Sequence, residues 1–179
     1  MRRMVFLMAV ASLLLVLACG VALAAVVEGT GGNDTLLGTA RDDTIKGFAG
    51  RDVARGFGGD DAIRGYGGDD DLLGYGGNDV IRGGENDDTL RGNGGRDKIF
   101  GGPGDDVIYA GDGEDLANGD SGSDRIFAGD GRDTIYTGRG ANEFVDTADG
   151  QKDVICVGGS ESGTVESDPQ DDFRFDCGP

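Results

Sequence analysis

The chain has 179 residues, 34 acidic and 16 basic, for a net charge of −18, with no His and no Trp. That charge repels nucleic acid and anionic membranes and makes both poor partners. Apolar content beyond the N-terminus is thin, which argues against a deep globular core, and the 37 glycines would suggest disorder if they lacked a period.

Residues 1–24 read as an export signal. Arg2 and Arg3 form a positive start, Met4–Leu17 is uncharged and mostly apolar, and Ala22-Leu23-Ala24 supplies a small-residue cleavage pattern before Ala25. Val16-Leu17-Ala18-Cys19-Gly20 also resembles a bacterial lipobox, in which Cys19 would carry a lipid anchor. The alternatives are a small residue inside a discarded peptide, or an uncleaved anchor, against which the flanking small residues argue. Either cleavage leaves Cys156 and Cys177, a pair that fits one disulfide in an oxidising compartment.

From Gly29 to Val145 the chain divides into thirteen nonapeptides in one register, as in GFGGDDAIR, GYGGDDDLL and GYGGNDVIR over residues 56–82. The sixth place is Asp34, Asp43, Asp52, Asp61, Asp70, Asp79, Asp88, Asp97, Asp106, Asp115, Asp124 and Asp133, then Asn142. The eighth place is always apolar, from Leu36 and Ile45 to Ile135 and Phe144. The fourth place is Gly except at Arg41 and Asn86. Places one to six are turn residues, and places seven to nine predict a strand of three residues with one side chain inward.

Such short strands cannot stand alone. Stacked at two nonapeptides per coil, they form an all-β parallel β-roll with two sheets and a column of turns along each edge. Two rows of eighth-place side chains make a core too narrow to offset the conformational entropy of so many glycines. A hard divalent cation would hold the turns: Ca²⁺ takes six to eight oxygens from carboxylates and backbone carbonyls. With no His and no paired thiols in the repeats, zinc and copper are improbable. Without Arg2 and Arg3, 14 bases face 34 acids, a net −20 that about ten Ca²⁺ ions would neutralise.

Gly101-Gly102-Pro103-Gly104-Asp105-Asp106-Val107-Ile108-Tyr109 matches G-G-x-G-x-D-x-U-x at every defined place. The chain thus resembles the RTX, or haemolysin-type calcium-binding, family over 117 of its residues. The resemblance implies a right-handed Ca²⁺-binding β-roll over residues 25–145. Each ion would lie between stacked turns, held by the twelve sixth-place Asp side chains and by backbone carbonyls near Gly50, Gly59, Gly68, Gly77, Gly95, Gly104, Gly113, Gly122 and Gly131. With the N-terminal signal, calcium affinity in the extracellular range suits a secreted protein that folds after export, the alternative being a lipoprotein held at the cell surface through Cys19. Many family members leave by a dedicated exporter that reads a C-terminal signal, so the N-terminal signal here favours general export instead.

Residues 146–179 are expected to be a degenerate last repeat, with Asp153 at the sixth place and Ile155 at the eighth, followed by a cap. Phe144, Phe173 and Phe175 are the expected cap residues, tied by a Cys156–Cys177 disulfide. No enzymatic activity is expected, since no His, no zinc motif and no partnered nucleophile is present. The ninth place passes from basic (Lys46, Arg55, Arg64, Arg82, Arg91) to aromatic (Phe100, Tyr109, Phe127, Tyr136), and Phe48, Phe57, Tyr66 and Tyr75 take the second place. These outward rows are read either as cross-coil stacking and charge balance or as the surface of an adhesin or carbohydrate-binding module facing an extracellular glycan or protein.

Overall fold

A computed structural model describes residues 23–140, 144–158 and 164–175. Cys19, Asn142 and Cys177 lie outside the described residues, as does the side chain of Phe175. The strands are β1 (Val26–Glu28), β2 (Thr35–Leu37), β3 (Thr44–Ala49), β4 (Val53–Gly58), β5 (Ala62–Gly67), β6 (Asp71–Gly76), β7 (Val80–Glu85), β8 (Thr89–Gly94) and β9 (Lys98–Pro103). They continue with β10 (Val107–Asp112), β11 (Leu116–Ser121), β12 (Arg125–Phe127), β13 (Thr134–Tyr136), β14 (Phe144–Asp146), β15 (Val154–Val157), β16 (Thr164–Glu166) and β17 (Asp172–Phe175). Odd-numbered strands build one parallel sheet and even-numbered strands the other. Each strand pairs with the next but one, as Ile63 with Ile81 and Leu72 with Leu90. The protein is therefore an all-β parallel β-solenoid with 18 residues in a regular coil. Among the described residues no helix is long and apolar enough to cross a membrane.

The eighth-place side chains form the interior. Ile45, Ile63, Ile81, Ile99 and Ile135 from one sheet meet Leu72, Leu90, Ile108 and Ile126 from the other, all fully buried. The strands are longer than the three residues expected: β3 to β11 run for six. The reason is the first place. Its Gly continues the inward alternation begun by the sixth-place Asp and the eighth-place aliphatic, so places six, eight and one all point inward. At Gly56 a Cβ would run into Asp61 Oδ2, so the missing side chain makes room for the carboxylate.

The register departs from the strict nonapeptide after Tyr136. Val145, not Phe144, pairs with Ile126 and is fully buried, so the coil there has 19 residues. The interior is lined throughout by Ile, Leu, Val and Ala. Phe144 lies outside instead, against Phe127 (5.5 Å between ring centroids) and Arg125. Ile155 then pairs with Ile135, and Asp153 is fully buried. The two sheets continue past residue 145: Val165 pairs with Val145, and Phe173 pairs with Ile155.

Candidate metal centre

The sixth-place aspartates stand in two columns. In one, Asp34 donates its backbone N–H to Asp52 Oδ1 (2.8 Å), Asp52 to Asp70 (2.8 Å), Asp70 to Asp88 (2.7 Å), Asp88 to Asp106 (2.8 Å) and Asp106 to Asp124 (2.9 Å). In the other, Asp43 donates to Asp61 (2.7 Å), Asp61 to Asp79 (2.8 Å), Asp79 to Asp97 (2.8 Å), Asp97 to Asp115 (2.7 Å) and Asp115 to Asp133 (2.8 Å). That column continues through Asp153 to Asp171. From Asp43 on, each carboxylate thus has one oxygen committed to the coil before it, and of the twelve sixth-place aspartates all but the half-buried Asp34 are buried.

The second oxygen is the unusual atom. Oδ2 of Asp52, Asp61, Asp70, Asp79, Asp88, Asp97, Asp106, Asp115, Asp133 and Asp153 is buried and accepts no hydrogen bond. Each such buried, unsatisfied acceptor costs on the order of 1–3 kcal/mol, and more when charged. Burial and neighbouring carboxylates push these acids up, against the backbone N–H bond that favours ionisation. Burial is the larger cause for Asp88 and Asp133, pushed up to about 8, for Asp97 and Asp106, to about 7, and for Asp61, Asp70, Asp115 and Asp153, to about 6. A row of buried carboxylate oxygens without donors fits hard cations, which compensate charge and accept carboxylate and carbonyl ligands together. Among the described residues no three carboxylates or thiols converge on one point, so backbone carbonyls have to complete any coordination shell.

Asp34 and Asp43 differ. Asp34 Oδ2 accepts from Thr30 N–H (2.6 Å) and Thr30 Oγ1 (2.9 Å), and Asp43 Oδ2 accepts from Thr39 N–H (2.5 Å) and Thr39 Oγ1 (3.0 Å). From Phe48 on, the turns adopt positive φ at the second place and, from Gly50 to Gly131, at the fourth; Gly32 and Arg41 do not. The first turn of each column is therefore closed by its own Thr. Thr30 and Thr39 at the second place were the visible signal for this, since Thr hydroxyls close such turns. Asn86, the other fourth-place exception, keeps the positive φ (82°) that Asn tolerates, so its turn is preserved.

A second ladder runs the opposite way through the exposed fifth place. Asp60 N–H donates to Asp42 Oδ1 (2.9 Å), Asn78 to Asp60 (2.7 Å) and Arg96 to Asn78 (2.9 Å); on the other edge Asp105 donates to Asp87 (2.9 Å) and Ser123 to Asp105 (2.8 Å). The recurrence of Asp and Asn at the fifth place was the signal for it. Cys156 is buried at the end of the regular solenoid, and its expected partner Cys177 lies outside the described residues.

A family model described as RTX calcium-binding nonapeptide repeat matches the chain in four copies, at residues 28–61, 55–90, 82–117 and 109–144. No curated protein matches the chain.

Proposed function

The chain belongs to the RTX calcium-binding nonapeptide repeat family, and on that premise we propose that it is a secreted protein whose roll folds around Ca²⁺ and serves a structural or surface-interaction role. The observation that carries this reading is the row of buried, donorless Oδ2 atoms from Asp52 to Asp153. Calcium ions would take these oxygens together with carbonyls of the turns at Gly50, Gly59, Gly68, Gly77, Gly95, Gly104, Gly113, Gly122 and Gly131. Asp124 belongs to the same set by its place and its burial. Asp34 and Asp43, satisfied by Thr30 and Thr39, close the ends of the columns. About ten ions would bring the exported chain near neutrality.

Empty, the roll is a self-repelling polyanion with unsatisfied buried acceptors, so folding and binding are coupled. Export into a calcium-rich, oxidising space supplies the ion and permits a Cys156–Cys177 bond, worth on the order of 3 kcal/mol; the native protein then shows no titratable thiol. Nothing in the roll calls for catalysis. Calorimetric titration of the calcium-stripped protein tests the reading. About ten ions with a large folding enthalpy are expected; a stoichiometry of one or two would overturn it.

A further inference from the structure

One face of the odd-numbered sheet carries a groove of about 540 Å³, within the size range of small-ligand sites, about 300–1,000 Å³. Its walls come from the ninth-place row, where Arg64, Arg82 and Phe100 stand in register on β5, β7 and β9. In this strongly acidic chain carboxylates outnumber bases two to one, yet neither guanidinium is taken by one. Among the described residues the Arg64 side chain makes no hydrogen bond or ion pair, and that of Arg82 only lies over the Phe100 ring at 4.9 Å.

The floor has its own chemistry. In the second-place row Tyr66 is followed by Gly84 and Gly102, which leave bare backbone. Elsewhere a third-place N–H donates to the second-place carbonyl of the preceding coil, as Gly58 does to Thr39. Pro103 has no N–H to give, and the β7–β9 ladder stops at Arg82 and Phe100 where neighbouring ladders run on. The Gly84 carbonyl, which lies against Gly102, thereby lacks the ladder donor that this place receives elsewhere. Tyr66 closes one end, half exposed and with φ of 78°, a conformation costly for a bulky residue.

We infer that this groove binds a carboxylated sugar, a short uronate-type oligosaccharide laid along the axis of the roll. The carboxylate meets Arg64 and Arg82 in charge-assisted pairs, the ring faces pack on Tyr66 and Phe100, and a hydroxyl donates to the Gly84 carbonyl. Glu85 and Asp120, also in the lining, sit in the third- and second-place rows, make no ion pair with the guanidiniums, and serve as acceptors for further hydroxyls. Tyr66 on β5 and Asp120 on β11 are three strand spacings apart, about 14 Å, which suits a few linked rings. A purely anionic ligand would leave the acceptors unused; a neutral sugar would leave both guanidiniums unpaired.

The site rests on the folded, calcium-loaded roll, so the test holds calcium saturating and reads the fold separately. Calorimetry with trigalacturonate and with its fully methyl-esterified form is run on the intact protein, on Arg64→Gln, on Arg64→Gln/Arg82→Gln and on Tyr66→Leu, with far-UV circular dichroism and calcium stoichiometry for each. The acid form is expected to bind at least tenfold tighter than the ester. The double variant should lose that preference, and Tyr66→Leu should weaken both. Arg64 is exposed and unpartnered, so its single variant folds even if the double does not and should already lose several-fold. Equal binding of acid and ester, no binding of either, or binding unchanged by these substitutions in a calcium-loaded protein overturns the inference while leaving the calcium reading intact. Tighter binding of a sulfated disaccharide than of trigalacturonate overturns the assigned class.

Discussion

The backbone N–H of Asp61 donates to Oδ1 of Asp79 at 2.8 Å, across one full coil of 18 residues. The same bond never joins Asp61 to Asp70, its neighbour in the repeat, which instead donates to Asp88 on the opposite edge. The functional pairing unit is therefore the coil, and the two edges are separate ladders.

Replacing Asp79 by Ala tests this separation. It removes the acceptor of Asp61 N–H and one donorless oxygen between two stacked turns. The expected result is loss of about one or two calcium ions and faster amide exchange at Asp61, with the Asp70 and Asp88 amides little changed. Equal loss of protection on both edges would contradict the two-ladder arrangement.

The Thr-closed first turns predict a different outcome at the N-terminal end. Thr39→Val removes the hydroxyl bond to Asp43 Oδ2 and should lower stability by about 1 kcal/mol in calcium-saturated denaturant unfolding. Asp43→Ala should leave the number of bound ions unchanged, in contrast to Asp79→Ala. A drop in stoichiometry for Asp43→Ala would mean that this turn holds an ion after all.

In chelator the empty roll should respond to pH in an unusual direction. The folded-state acids lie above their unfolded value of 3.8, up to about 8 for Asp88 and Asp133 and about 6 for Asp61 and Asp70, chiefly through burial. The folded form then holds more protons than the unfolded one. Its stability from these groups is full below about pH 4 and is lost as pH rises toward 8. β-structure in chelator should therefore increase on acidification from pH 8 to pH 5, while calcium affinity falls over the same range because protons compete for the same oxygens. Less β-structure at pH 5 than at pH 8 in chelator would contradict the buried-carboxylate account.

Much of this was legible in the residues. A carboxylate every nine positions, an aliphatic two places later and Gly before both carry the coil, its two sheets and the 18-residue pairing. Less legible was what depends on space rather than on residue type. The first-place Gly reads as a turn residue but lies in the strand, because it faces Asp61 Oδ2 and its counterparts inside the roll. Phe144 fits the apolar pattern as well as Val145 does, yet it is Val145 that is buried, paired with Ile126. Thr30 and Thr39 look like ordinary substitutions for Gly until their hydroxyls are placed against Asp34 and Asp43. The fifth-place ladder runs backwards along the chain and leaves no trace in the strand pattern.

The central claim is that the buried Oδ2 rows make calcium a condition of folding. Far-UV circular dichroism of the exported chain at pH 7.5, with excess calcium and then with chelator, tests it most directly. A parallel-β spectrum in calcium that collapses to that of an unfolded chain in chelator, and returns when calcium is restored, is predicted. An unchanged β spectrum in chelator at that pH would contradict it.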